Sequence, residues 1–298
     1  MKDRIDILLA TYQGGSYLKE QLLSILQQSY PHFHILIRDD GSTDQTLSII
    51  DSFRQIYPEH ISLIPSIQRM GVKGNFSELM HHAKARYIMF SDQDDIWLPH
   101  KIELSLLKMK EMENQHGTQI PLLMHTDLQV VTSDLNIIDP SFWHYSNLNP
   151  SIMGLNRLLI QNIVSGCALM MNQHLLHLAY PIPHQCLMHD WWIALVAVIF
   201  GKIDYIQEST LLYRQHDKND VGAKKFSLLR FIKKQIFRKQ KGDTLNKCCE
   251  QAQQLLERYS LLLNPSQKEM LHIFVSLKDL SYPRQVIRCL ANDFIPHI

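Results

Sequence analysis

What most narrows the possible folds of this chain is its opening rhythm. Over roughly the first 130 residues, short apolar runs alternate with helix-patterned segments at the spacing of βαβ units. Ile5 to Ala10 reads as a buried strand. Residues 17–28 read as a helix, because Leu18, Leu22, Ile25 and Leu26 fall on one face. His34 to Ile37 reads as a second strand that stops at Asp39-Asp40-Gly41. Ser42 and Gln45 have capping-box spacing, so a helix is expected from there to about Arg54. Ile61 to Ile64 is a third strand and 75–84 a third helix. Tyr87 to Phe90 is a fourth strand, running into Asp92-Gln93-Asp94-Asp95, and Pro99 suits the first turn of the next helix. This order predicts an α/β fold with a largely parallel sheet.

Further on the signals are mixed. Leu122–Met124, Ala168–Met171, Ile203–Ile206 and Leu211–Tyr213 are candidate additional strands, and a helix is expected over about Asp190 to Phe200. From Lys224 the character turns helical, with breaks at Asn264-Pro265 and Tyr282-Pro283. We therefore expect one domain over 1–222 and a helical C-terminal region over 223–298. With 298 residues, 45% hydrophobic, the chain can bury a large core. Thirty Lys+Arg against 29 Asp+Glu leave a net charge of +1, which gives no sign of nucleic-acid binding. Five cysteines without C-x-x-C spacing favour a reducing, cytoplasmic compartment. Ile5–Ala10 is too short for a secretory signal, and the longest apolar stretch, Trp191–Phe200, is too short to span a bilayer.

Ligands of parallel α/β sheets bind at the carboxyl ends of the strands. Three such ends carry Thr11-Tyr12-Gln13-Gly14-Gly15, Asp39-Asp40-Gly41-Ser42 and Asp92-Gln93-Asp94-Asp95. Two acidic clusters facing one crevice repel unless donors or a cation neutralise them. The Asp92-x-Asp94 spacing suits a hard divalent cation such as Mg2+ or Mn2+, shared with substrate phosphates. Its plain alternative is a solvated loop ahead of a helix. Asp39 and Asp40 have the chemistry to grip a base or ribose, or to form an Asx turn with Gly41 at positive φ. Thr11 and Tyr12 could bond and stack on the same base, or serve only as turn residues.

Four segments, 10–18 (ATYQGGSYL), 27–31 (QQSYP), 38–44 (RDDGSTD) and 90–101 (FSDQDDIWLPHK), together resemble glycosyltransferase family 2, most closely its bacterial rhamnosyltransferase-like members. The resemblance covers residues ~5–220 and fades beyond. It implies a GT-A fold: a Rossmann-like nucleotide-binding half and a mixed central sheet flanked by helices. It further implies that Thr11 and Asp40 contact the nucleotide base with Asp39 beside them. Asp92 would meet the ribose or diphosphate, Asp94 would be the principal metal ligand, and Asp95 would orient the loop.

His189-Asp190-Trp191-Trp192 resembles the family's acidic segment at a helix start, with Asp190 as general base; its alternative is a plain helix cap. Tyr213-Arg214-Gln215-His216 resembles a segment that folds over the diphosphate. There Arg214 would pair with phosphate and His216 would complete the metal shell, unless His216 is a solvated surface residue. Asn162, Gly166 and Trp191 would line the acceptor side, and Cys167 is expected to be a packed residue. A Gln-x-x-Arg-Trp motif is absent after Asp190, which favours transfer of a single sugar.

The resemblance thus implies a nucleotide-sugar donor, dTDP-rhamnose or a UDP-sugar, and a glycan or lipid-linked glycan acceptor in polysaccharide assembly. Residues 224–241 interleave basic and apolar side chains, which suits either contact with the inner membrane face or a solvated basic helix. Two other classes compete. A sugar nucleotidyltransferase would carry a basic loop after the first strand, whereas 11–17 holds no basic residue. A non-catalytic nucleotide-sugar-binding scaffold would need neither Asp94 nor Asp190.

Overall fold

The computed structural model of the chain describes residues 3–217 and 242–294. The expected boundary near 222 and the basic segment 224–241 lie outside the described residues. Strands β1 (Ile5–Thr11), β2 (Phe33–Asp39), β3 (Ile61–Leu63) and β4 (Tyr87–Ser91) alternate with helices α1 (Leu18–Leu26), α2 (Thr46–Ile56) and α3 (Gly71–His82). These four strands pair in parallel in the order β3-β2-β1-β4. Then come β5 (Ile96–Trp97), α4 (Lys101–His116), β6 (Leu122–Thr132), β7 (Ile137–Asp139), α5 (Phe142–Ser146), α6 (Leu155–Leu158), β8 (Leu169–Asn172), α7 (Gln173–Ala179), α8 (His189–Phe200) and β9 (Lys202–Gln215). The same sheet continues β4-β8-β6-β9-β5, with β7 on the side of β6. β8 runs antiparallel to β4 and β6, so the sheet is mixed as expected.

Side-chain alternation along the strands builds two layers. Leu8, Leu36, Ile88 and Phe90 point into the core shared with α3, α7 and α8. Ile7, Leu9, Ile35, Ile37 and Met89 point to the opposite core, beneath α1, α2 and α4. A strand buried on both faces reads as a continuous apolar run, which is why the first four were visible in the sequence.

Two local expectations are corrected. The Ser42–Gln45 capping box does not form. The Ser42 hydroxyl donates to Asp39 Oδ1 at 2.6 Å and accepts from Gln13 N at 2.8 Å, while Asp44 Oδ1 accepts from Thr46 N at 3.0 Å. The runs at 203–206 and 211–213 are not two strands but parts of β9, 14 residues long.

The C-terminal helices α9 (Gly242–Tyr259), α10 (Pro265–Val275) and α11 (Tyr282–Ala291) follow. Asn264 and Gln267 form a reciprocal capping box at the start of α10. Cys248, Cys249, Leu255, Leu271 and Phe274 are buried in one cluster with Trp192 and Leu195 of α8. Trp192 stacks on Tyr259 at 6.1 Å, and Gln267 Nε2 donates to Ile199 O at 2.9 Å. All five cysteines are buried free thiols. Among the described residues, no helix is long and apolar enough to cross a membrane.

Candidate active site at the carboxyl ends of the strands

The loops after β1 and β2 are locked together. Thr11 Oγ1 donates to Asp39 Oδ1 at 2.9 Å, Gly14 N to Thr46 Oγ1 at 2.8 Å, and Gly15 N to Asp44 Oδ2 at 2.9 Å. Asp39 also accepts from Gly41 N and Ser42 N, closing an Asx turn in which Gly41 holds a φ of 90°. Asp40 goes to α3. Its oxygens accept from Met70 N and Gly71 N, each at 2.7 Å, and from Arg38 Nη1 at 3.0 Å. Thr11, Asp39 and Asp40 are therefore buried, and the Thr11 hydroxyl and both carboxylates are bonded within the protein itself.

The loop after β4 is tied to the loop after β1 through Gln93. Tyr12 N donates to Gln93 Oε1 and Gln93 Nε2 donates to Tyr12 O, both at 2.9 Å. A Cβ on Gly14 would fall 2.2 Å from Gln93 Oε1, so a larger residue there would push the Gln93 amide off Tyr12. Asp94 Oδ2 lies 2.8 Å from His216 Nε2, and the His216 ring stacks on Tyr17 at 4.8 Å. Burial raises the Asp94 carboxyl pKa, while His216 opposes the rise. Arg214 is buried, and its guanidinium donates to Asp94 O at 2.9 Å, Ser133 O at 2.6 Å and Glu20 Oε2 at 2.5 Å. It clamps the acidic loop from behind.

Asp95 accepts from Arg214 N at 3.3 Å and is fully buried, with Oδ2 lacking a hydrogen bond. Burial, then Asp94 and Asp92, push its pKa well up. One ligand atom each from Asp92, Asp95 and Cys167 lie within 4.8 Å of one another. Such a carboxylate-rich pocket, holding a buried oxygen without a donor, fits a divalent cation. Lys101 closes the 90–101 segment without any role expected for it. It is fully buried at the start of α4, over the Trp97 ring at 4.9 Å, with Nζ donating to Thr210 Oγ1 at 3.3 Å. Burial pulls its pKa down to about 8, against the pull of Cys167 and Asp95. Its signal was periodicity: Lys101, Ser105 and Met109 share the buried face of α4.

Cys167 leads to Asp190 through its neighbour Gly166. Gly166 N donates to Asp190 Oδ2 at 3.0 Å, and Trp191 N donates to Asp190 Oδ1 at 2.6 Å. Burial raises the Asp190 pKa to about 6, with these N–H donors opposing. The neighbouring His189 ring packs on Phe76 at 4.1 Å and Phe90 at 5.4 Å, and burial lowers its pKa to about 3. Asn162 closes a turn onto Val164, donating to its O at 2.7 Å and accepting from its N at 3.1 Å. Trp191 Nε1 donates to Leu158 O. A cleft of about 310 Å³ opens between the start of α3 and the segment before α8, lined by Met70, Gly71, Val72, His184, Leu187 and Met188. Tyr12, Gln93, the acidic loop, Cys167–Gly166 and Asp190 thus form one continuous chain of contacts. Trp191 follows Asp190 at one end of it, Asn162 lies outside it, and Arg214 braces the acidic loop.

Comparison with known proteins bears on the fold and the family. The sequence model of the family described as glycosyl transferase family 2 matches residues 6–174. The dTDP-rhamnosyl transferase RfbG of Shigella flexneri is 30% identical over 255 residues, spanning 78% of this chain and 81% of that protein. Among solved structures, S. aureus TarS 1-349 in complex with UDP superposes with a TM-score of 0.59 at 16% identity, over 94% of this chain and 91% of that one. The mannosyltransferase PcManGT of Pyrobaculum calidifontis, in complex with GDP-Man and Mn2+, superposes with a TM-score of 0.55 at 15% identity, over 98% and 74%. The mixed sheet and its helices are a GT-A fold. The chain is a glycosyltransferase and belongs to glycosyl transferase family 2.

Proposed function

We propose that this glycosyltransferase moves one sugar from a nucleoside diphosphate donor, dTDP-rhamnose or a UDP-sugar, to an acceptor hydroxyl, with inversion. The observation that carries the proposal is the unbroken contact path from the Asp94–His216 pair to a partly buried Asp190 whose pKa is raised to about 6. Asp190 takes the acceptor hydroxyl proton as the oxygen bonds to the anomeric carbon and the bond from that carbon to the diphosphate breaks. A base placed opposite the leaving group gives inversion. A carboxylate titrating near 6 is ionised at neutral pH yet basic enough to assist that transfer.

Asp94, held by His216 at 2.8 Å, beside the pocket that Asp92 shares with Asp95 and Cys167, would hold Mg2+ or Mn2+, which when bound would neutralise charge developing on the leaving diphosphate. Thr11, Tyr12, Asp39 and Asp40 shape the nucleotide slot. Arg214 acts through the backbone of Asp94 while contributing its positive charge to the diphosphate end. Asn162, Gly166 and Trp191 build the acceptor side. The dTDP-rhamnosyl transferase name of the 30% identical relative favours a dTDP donor, and a role in polysaccharide assembly goes with such a transfer. A glycan or lipid-linked acceptor at the cytoplasmic membrane face fits that role. The test is donor consumption with Mn2+ for Asp94→Ala and Asp190→Ala. Wild-type rates for both variants sink the proposal.

A further inference from the structure

Resting on the nucleotide-sugar reading above, we infer that the cleft between the start of α3 and the segment before α8 receives the donor's sugar, and that its apolar lining selects a 6-deoxyhexose over the same sugar carrying a hydroxymethyl group. The cleft measures about 310 Å³ and is lined by Met70, Gly71 and Val72 on one side and by Leu187 and Met188 on the other. Ligand clefts run from roughly 300 to 1,000 Å³, so this one has room for a single sugar ring rather than for a glycan chain.

The two walls are tied to opposite ends of the proposed reaction. Met70 N and Gly71 N donate to Asp40, each at 2.7 Å, which fixes the α3 wall to the end of β2. Met188 immediately precedes the His189-Asp190 pair, and its carbonyl accepts from Trp192 N at 3.1 Å in the first turn of α8. A sugar still bonded to a diphosphate, with its anomeric carbon open to an acceptor oxygen beside Asp190, lies between those two walls.

The lining is both held and apolar. Lys73 Nζ donates to His184 O at 2.7 Å and to Cys186 O at 2.5 Å, bridging the two sides and committing its ammonium to backbone carbonyls. Leu187 N donates to Gln251 Oε1 of α9 at 2.9 Å, and Gln251 is fully buried. Met70 is seated against Gly74, where an added Cβ would fall 2.6 Å from the Met70 Cβ. Met70, Val72, Leu187 and Met188 are all half-buried, and none of their side chains carries an oxygen or nitrogen. Such a wall matches a methyl group and leaves an added hydroxyl without a partner. The preference this can give is bounded, since an apolar pocket rejects an isostere with one extra hydroxyl by only about 10²-fold.

The experiment titrates the full chain by calorimetry, with Mn2+ present, against two donor pairs that each differ by one C6 hydroxyl. One pair is dTDP-L-rhamnose with dTDP-L-mannose, the other UDP-6-deoxyglucose with UDP-glucose; dTDP and UDP alone are the reference ligands. Wild type should bind the 6-deoxy member of a pair about 10- to 100-fold more tightly. Met188→Gln and Val72→Thr put a hydrogen-bonding group into either wall at nearly constant volume. Each should narrow that preference by about tenfold while leaving the affinity for the bare nucleoside diphosphate as it was. Equal affinities within both pairs, or a preference unaltered in both variants, overturn the inference. Variants that keep the donor preference but raise the KM for acceptor overturn it too, and give the cleft to the acceptor. If neither dTDP nor UDP binds, the nucleotide-sugar reading fails and takes the inference with it. Bare nucleotides that bind while the sugars go undistinguished leave that reading standing and sink the cleft assignment alone.

Discussion

His216 Nε2 meets Asp94 Oδ2 at 2.8 Å, joining residues 122 positions apart where the end of β9 crosses the loop after β4. The contact gives Asp94 a partner that stacks on Tyr17 and is therefore fixed in direction. It also predicts unequal losses. Asp94→Ala should lower Mn2+-dependent donor turnover by on the order of a hundredfold or more, since the proposed role of its charge is to hold the cation. His216→Ala should raise the Mn2+ concentration for half-maximal rate by about tenfold, as loss of an orienting partner does. Manganese titrations of donor turnover check both, and an unaltered Mn2+ dependence in both variants removes this pair from the metal's surroundings.

The burial of Asp190 sets a pH dependence. A base must be deprotonated, and burial has moved this carboxyl pKa up to about 6. The kcat/KM profile should therefore rise through pH ~6 and level off above it, rather than near the ordinary carboxylate value of about 4. Asp190→Asn should abolish that limb and cost ~10²–10⁴ in rate. A wild-type profile flat down to pH 4.5 contradicts the role.

Gly166 tests how tightly the surroundings of Asp190 are built. A Cβ there would lie 2.8 Å from His189 Nε2 and 3.5 Å from Asp190 Cβ. The His189 ring cannot retreat, because Phe76 and Phe90 hold it. Gly166→Ala should displace Asp190, cutting kcat by at least tenfold and lowering stability by roughly 1–3 kcal/mol. Thermal melts and initial rates on the same preparation give the answer, and wild-type values in both would mean the segment has slack.

Much of this was readable in advance where chemistry is local. Each of the first four strands is an apolar run ended by polar residues, and the site loops follow directly from those ends. β9 was harder, because Gln207, Glu208, Ser209 and Thr210 look like a turn between two short strands. In the fold a register shift opposite Asp127 keeps the ladder continuous through them. Ser42 misled in another way. Its spacing to Gln45 satisfies a capping rule, but Asp39 and Gln13 compete successfully for its hydroxyl. Lys101 escaped notice because its meaning depends on partners that the sequence does not place beside it. It lies within the electrostatic reach of Cys167 and Asp95.

Lys101 carries a stability prediction of its own. Its full burial strips water from the ammonium, and this outweighs the pull of Cys167 and Asp95 on its charge. With its pKa down to about 8 against an ordinary value near 10.4, the unfolded chain holds the proton more tightly, so carrying the charge costs stability at neutral pH and less as pH rises toward 10. Lys101→Met keeps an unbranched stem beside Trp97 without the charge and should be at least as stable as its parent at pH 7. Urea unfolding of the two proteins at pH 7 measures the difference. A Lys101→Met protein clearly less stable than its parent would show that the partners of the lysine outweigh its desolvation.

His125 governs how the fold responds to acid. The residue sits on β6, fully buried, its ring edge-on to Trp143 at 5.3 Å and neither nitrogen hydrogen-bonded. Burial lowers its pKa to about 3, so the folded state keeps it neutral while the unfolded chain protonates it near its ordinary 6.5. The unfolded state therefore binds the extra proton between those two values. Stability from this group is fully present above pH ~6.5 and is lost as pH falls toward 3, at up to about 1.4 kcal/mol per pH unit. His189, also at about 3, adds a second slope of the same sign. His125→Phe keeps a ring against Trp143 and removes the titration. It should reduce the slope of unfolding free energy against pH between 6 and 4 by close to one proton. Urea denaturation at half-unit pH steps reads that slope, and identical slopes in parent and variant would mean that the buried ring gains a proton without unfolding.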